Sequence, residues 1–261
     1  MKMTKESNTS PRTTITSGTR EWADHNVNCI KGCHNNCRYC YAKMMAKRFG
    51  RSTEDKWKNM TIREDVLRKR FKRYTGRVMF PSSHDIVDIS PYKEACYTVL
   101  GRLIESGNQL LVTTKPKPNV IQDIDRLFSA HKEQIQFRFT ITSQSEDQLR
   151  FWEPNAPSFK ERLTSLTYAH RREYKTSVSI EPFLDYDPTQ LVEILEPSVT
   201  ESIWIGRMNY IPRNNLSQEE LTRYEEIRKN YETSRLSTLY NSLNQRPLVK
   251  FKDSIRNQLG L

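Results

Sequence analysis

The chain has 261 residues, 36% hydrophobic and 28% charged, with a formal net charge of +11, enough to bury the core of one large domain. No apolar run approaches the roughly 18 residues of a membrane span, which excludes a helical integral membrane protein. Five cysteines, four of them between positions 29 and 40, are not the spread framework of a secreted disulfide fold; a cytoplasmic protein with a metal centre is expected.

Residues 1–24 read as a basic, polar N-terminal arm without the apolar stretch of a secretory signal. Residues 1–80 carry 19 Lys+Arg against 7 Asp+Glu, a net +12, and the remainder carries 23 against 24. One domain is expected over 25–261. Its first strand is short, near Asn26 to Cys29, and runs into the cysteine loop; Tyr41 to Phe49 follows as a helix capped by Gly50. The densest cations, Arg68, Lys69, Arg70, Lys72 and Arg73 around Phe71, read either as a solvated helix face or as an attractor of phosphate backbones through counterion release.

Further strands are expected at Arg77 to Phe80, Gln109 to Thr113, Ile135 to Thr142, Lys175 to Ile180 and Ser202 to Ile205. Helices are expected at Tyr92 to Ser106, Val120 to Ala130, Ser158 to Arg172 and Thr189 to Leu195. Ser217 to Leu243 reads as one long outer helix opening a helical C-terminal extension from about residue 215, and the tail after Pro247 as a short strand and helix. The alternation describes α/β architecture, six βα units forming an incomplete (β/α)6 barrel of parallel strands with outer helices, or an open doubly wound sheet.

Cys33, Cys37 and Cys40 stand at CxxxCxxC spacing. Three thiolates in one loop can hold an iron–sulfur cube and leave one iron open to a chelating ligand. The alternative is a zinc knot of Cys29, Cys33, Cys37 and Cys40 in a non-catalytic nucleic-acid-binding protein. Cys29 is otherwise a buried small hydrophobe or an accessory thiol.

The motif, with Tyr39 before the last cysteine, resembles the signature of the radical S-adenosylmethionine (SAM) superfamily. Gly32 to Ala42 is similar to the cluster loop of its branch related to spore photoproduct lyase. Val112 to Lys115, Glu153 to Pro157 with Glu161 to Leu163, Glu181-Pro182 and Ile205 to Asn209 resemble further elements of that branch in order. The resemblance implies a [4Fe-4S] cluster on Cys33, Cys37 and Cys40, and SAM as cofactor. It also implies a 5′-deoxyadenosyl radical that abstracts hydrogen from a substrate, and, for this branch, nucleic-acid lesion repair or base modification. A protein or small-metabolite substrate is the alternative, with the basic stretch docking an acidic electron donor such as a flavodoxin or ferredoxin. The superfamily's Gly-Gly-Glu after the second strand is replaced by Pro81, Ser82, Ser83, His84 and Asp85.

Because active sites of parallel sheets gather at the carboxyl ends of strands, the expected cofactor-binding residues are Tyr39, Ser82, Ser83, Thr114, Lys115, Ser143 and Glu181, with Gln144, Arg207 and Asn209 nearby. Lys115 would pair with a carboxylate or substrate anion. Candidates for catalysis are Cys96, His84 (with Asp85 as a proton-transfer pair) and Lys115. Glu153 and Arg162 are expected to form a structural ion pair.

Overall fold

A computed structural model describes residues 18–261; residues 1–17 of the expected N-terminal arm lie outside them. The chain enters at β1 (His25–Asn26), which is followed by an antiparallel pair, β2 (Ile30–Lys31) and β3 (Thr61–Ile62), bracketing α1 (Tyr41–Arg48). α2 (Glu64–Leu67) leads to β4 (Arg77–Phe80). Helices and strands then alternate: α3 (Tyr92–Glu105), β5 (Gln109–Thr114), α4 (Pro118–Phe128), β6 (Ile135–Thr140), α5 (Glu146–Trp152), α6 (Phe159–Arg171), β7 (Lys175–Ile180), α7 (Thr189–Leu195) and β8 (Ser202–Ile205). α8 (Gln218–Asn230), α9 (Thr233–Leu243), β9 (Val249–Phe251) and α10 (Asp253–Leu259) complete the chain. Among the described residues, no helix is long and apolar enough to cross a membrane.

The main sheet has seven strands, all parallel, in the order β1-β4-β5-β6-β7-β8-β9. Each strand follows its neighbour in sequence through a helical crossover, so the sheet curls into an incomplete barrel. The expected six strands become seven because the tail strand β9 pairs with β8. The expected first strand resolves into β1 on the main sheet and β2 on the small one.

Strand residues alternate between two chemically different faces. Val78, Phe80, Leu110, Val112, Phe137, Val178 and Ile203 turn outward into the main core, with Leu100 and Leu103 of α3, Ile121 of α4, Leu166 of α6 and Leu191 of α7. Burying each such side chain contributes about 1.5–3 kcal/mol, which ties the helices to the sheet. The inner face is mostly polar. Met79 and Leu111 form a small cluster there with Ala23 and Trp22, and beside them Gln136, Arg138, Ser177 and Ser179 are buried.

The barrel is closed by side chains rather than by a ladder. Lys252, just after β9, forms an ion pair with Glu21 and donates to the carbonyl of Gly18 at 2.8 Å. The backbone N–H of Gly18 donates to Asp253 at 3.3 Å. The turn Gly18–Glu21 thus clasps the last strand and carries Trp22 onto the inner face.

Two expectations are corrected. The long helix over Ser217 to Leu243 breaks into α8 and α9, because Tyr231 turns inward and its hydroxyl donates to the carbonyl of Phe183 at 2.8 Å. The cationic run Arg68 to Arg73 is not a helix face. Phe71 is buried, and α3 and the residues after it satisfy the run's backbone: Ser106 Oγ donates to the Phe71 carbonyl at 3.0 Å and Asn108 Nδ2 to that of Lys72 at 3.1 Å. The run thus continues from the last turn of α2 into irregular coil, with all five of its cations exposed.

Candidate active site

The cysteine loop lies between β2 and α1 and is held on three sides. Gly32 has φ +83°, and a Cβ there would stand 2.6 Å from the Trp57 carbonyl oxygen, so only glycine lets the Cys33 amide reach that carbonyl, at 2.9 Å. From the end of α5, the Arg38 amide donates to the Trp152 carbonyl at 2.9 Å and Arg38 Nε to that of Phe151 at 2.8 Å. Asn155 Nδ2 donates to the His34 carbonyl at 3.0 Å, and Asn35 donates to Asp85 on the loop after β4. Cys40 is the N-cap of α1, its sulfur accepting from the Lys43 amide at 3.4 Å. A helix N-terminus favours a thiolate at that position.

Cys33 and Cys37 are buried and Cys40 is half-buried. Burial pushes the Cys33 thiol up to about 12, with Asp85 and Cys40 adding to the effect. It pushes Cys37 up as well, opposed by the Lys115 ammonium and reinforced by Glu153, Cys40 and Cys33. Cys40 is raised by burial too. Cys33 and Cys37 thus both sense Cys40 and the Lys115 ammonium, and Cys40 senses Lys115 and Lys43.

Lys115 belongs to a network at the carboxyl ends of β5 and β6. Glu153, 2% exposed, forms an ion pair with fully buried Arg162 and accepts from Thr142 Oγ1 at 2.6 Å and from the Tyr39 hydroxyl. Lys115 Nζ lies 4.0 Å from Glu153 Oε1 and 5.6 Å from the centre of the Tyr39 ring. Despite burial, the cations Arg162 and Lys115 hold the Glu153 carboxyl below the usual carboxylate range. Burial alone would lower Lys115, but Cys37, Glu153 and Asp85 raise it, keeping it an ammonium. Asp85 is fully engaged: it accepts from Asn35, from Thr114 Oγ1, from the Ile86 amide at 2.8 Å and from the Lys115 amide at 3.1 Å. A cavity of about 210 Å³ opens beside the loop, lined by His34, Asn35, Asp85, Lys115, Asn155 and Glu161 among others.

The structure thus brings Tyr39, Lys115 and the three cysteines together and adds Glu153, Arg162 and Asp85. Thr114 faces Asp85. Ser82 and Ser83 lie at the end of β4, where Asn28 Oδ1 accepts from their amides at 2.7 and 2.8 Å. Ser143 donates to Asp185. Glu181 faces a different set of charges, and burial drives its carboxyl up to about 7, against the pull of Lys252. Gln144 Nε2 donates to Gln190 at 2.8 Å, Arg207 turns toward Gln258 of α10, and Asn209 is exposed.

Cys96 is fully buried on α3, its sulfur 3.8 Å from that of Cys29. The apolar face of α3 carries it into the core, where it packs against Cys29. His84 does not pair with the Asp85 carboxylate. Its Nε2 accepts from the Cys29 amide at 3.1 Å and its Nδ1 is 3.0 Å from the Asp85 carbonyl oxygen, so both ring nitrogens are engaged by the backbone.

The donor set fits an iron–sulfur cluster. Among the described residues, no three His, Cys, Asp or Glu side chains converge on one metal-ion position. Cys29, the fourth ligand that a zinc knot requires, is fully buried against Cys96.

Comparison with solved structures identifies the fold. A double mutant of spore photoproduct lyase with bound AdoMet and dinucleoside spore photoproduct matches with a TM-score of 0.55 at 14% identity, over 92% of this chain and 79% of that one. A single mutant with dinucleoside spore photoproduct matches at 0.51 and 17% identity, over 83% and 64%. Spore photoproduct lyase complexed with dinucleoside spore photoproduct matches at 0.50 and 16%, again over 83% and 64%. The chain shares the incomplete-barrel fold of these structures. No protein-family model and no curated protein matches it.

Proposed function

We propose that the protein is a radical SAM enzyme. The observation that carries this reading is the seating of Cys33, Cys37 and Cys40, beside the Lys115 ammonium, at the carboxyl ends of the strands of an incomplete barrel. Bound together, a [4Fe-4S] cluster and SAM supply a 5′-deoxyadenosyl radical that abstracts hydrogen from a substrate. Cys33, Cys37 and Cys40 would hold the cluster. Lys115, kept charged by Glu153 and Asp85, is the cation for the cofactor's carboxylate, and the Tyr39–Glu153–Arg162 network fixes the floor against which it is placed. Ser82, Ser83, Thr114 and Ser143 line the same strand ends and supply hydroxyls for its amino group and ribose. The test is anaerobic reconstitution with iron and sulfide, reduction with dithionite, and assay of 5′-deoxyadenosine from added SAM. Formation of that product supports the reading, and a protein that takes up zinc but no iron, and makes none, overturns it.

For the substrate we favour a nucleic acid. The supporting observation is the run in which Arg68, Lys69, Arg70, Lys72 and Arg73 are all exposed around the buried anchor Phe71. Replacing those five cations by glutamine is expected to weaken DNA and RNA binding and to flatten the slope of log affinity against log salt by about 0.9 for each phosphate no longer neutralised. If nucleic-acid binding is unchanged but reduction by a flavodoxin slows, the run serves an acidic electron donor, and a protein or small-metabolite substrate replaces this reading.

A further inference from the structure

The inner face of the barrel holds a cation that, among the described residues, forms no salt bridge. Along β6, Ile135, Phe137 and Phe139 pack under the helices, so Gln136, Arg138 and Thr140 face inward. Register sets Arg138 between Thr113 of β5 and Ser177 of β7, and the next inward row toward the strand ends is Thr140, Ser179, Trp204 and Lys250. Arg138 is 3% exposed. Its Nε donates to Ser177 Oγ at 3.1 Å, while Nη1 has no hydrogen-bond partner among the described residues.

The molecule treats its other buried cations differently. Lys43 pairs with Glu54, Arg162 with Glu153 and Lys252 with Glu21, whereas among the described residues no carboxylate pairs with Arg138. What surrounds it is aromatic: its guanidinium carbon lies 4.6 Å from the centre of the Trp22 ring and 5.6 Å from that of Trp204, and the two indoles meet edge to face at 6.1 Å. Cation–π contacts recover only part of the cost of desolvating an ion. Burial, with Arg77 nearby, pulls Arg138 down to about 9. Glu181, the acid that raises it, makes no salt bridge with it and is itself driven up by burial. A buried, donor-rich and unpaired guanidinium flanked by two flat rings is the arrangement that binds an oxyanion attached to a planar group.

We propose that Arg138, between Trp22 and Trp204, receives a phosphate or carboxylate of the substrate on the inner face of the sheet. In taking that ligand for the substrate, the proposal rests on the enzymatic reading above; the anion site itself does not. The inference also gives the clasp Gly18–Glu21 a second role, because it is the clasp that brings Trp22 over this face.

The test is binding by the full chain in the absence of SAM, followed by tryptophan fluorescence and calorimetry, with thymidine 5′-phosphate, benzoate and thymidine as probes. Thymidine 5′-phosphate or benzoate is expected to bind at least ten-fold more tightly than thymidine, and whichever of the two binds better tells phosphate from carboxylate. Arg138→Met is expected to lose at least ten-fold in that affinity while keeping a urea midpoint no lower than the native one, since it removes a buried charge that forms no salt bridge; Arg138→Lys retains part of the binding. The proposal is overturned if neither oxyanion binds better than thymidine, if Arg138→Met binds as the native chain does, or if Arg138→Met is less stable than the native chain, the result of a structural role. Oxyanion binding in a protein that makes no 5′-deoxyadenosine would sink the radical reading alone.

Discussion

Alanine at Cys33, Cys37 or Cys40 is expected to abolish the iron–sulfur absorbance of the reconstituted protein and to reduce 5′-deoxyadenosine formation to background, while Cys29→Ala and Cys96→Ala keep about four irons per chain. The five cysteines divide by position. Cys33, Cys37 and Cys40 sit in a loop whose backbone is pinned by the Trp57 and Trp152 carbonyls and whose Asn35 side chain donates to Asp85, and on the proposed reading each is one of three donors, so losing one would leave the cluster without a corner. Cys29 and Cys96 face each other in the core with sulfurs 3.8 Å apart. Truncating either removes one buried sulfur and is expected to cost about 1–2 kcal/mol of stability with no loss of iron. Iron and sulfide content, read beside a urea midpoint, separates the two outcomes. Iron lost equally from all five variants would remove the distinction.

Glu153→Gln is expected to be the most destabilising single change outside the cluster loop, about 3–5 kcal/mol, because it strips the counter-charge from a fully buried Arg162 and from Lys115 together. The amide keeps the shape of the side chain and, with its oxygen in the Oε1 place, still accepts from Thr142 and Tyr39, but its NH2 then faces the Arg162 guanidinium, so the loss reports the charge and the Arg162 hydrogen bond rather than packing. The double variant Glu153→Leu with Arg162→Met is expected to recover much of the stability, as buried pairs replaced by apolar groups of similar volume often do. Urea denaturation at neutral pH measures both; a cost under about 1 kcal/mol for Glu153→Gln would mean that water screens the pair.

Strands β5 to β8 were legible because each is an apolar or alternating run bounded by turn residues, and Lys175–Ile180 and Ser202–Ile205 fall where that pattern puts them. Cysteine spacing carried the loop, and the Glu153–Arg162 pair was legible from its Glu-Pro element. What lay beyond reach were contacts whose partners are far apart in the chain. Asp85 gathers Asn35 and Thr114, respectively 50 and 29 residues away, and no local pattern announces such an acceptor. The break between α8 and α9 was hidden because polar helical spacing continues through Tyr231, whose inward turn depends on the Phe183 carbonyl. The alternation of β6 showed two faces but not that one of them would hold an arginine without a salt bridge.

The hydrogen bonds that seat the cysteine loop have a consequence for the order of events in biosynthesis. Asn35 reaches Asp85 across 50 residues, Arg38 reaches Phe151 across 113, and Asn155 reaches His34 across 121. A chain emerging from the ribosome exposes its N-terminal segments first, so the thiols are in solvent long before the segment that must hold them has been made. Contacts of such separation close late, after the loop-closure entropy of the intervening chain has been overcome. If the loop holds the proposed cluster, its loading would accordingly follow folding of the barrel.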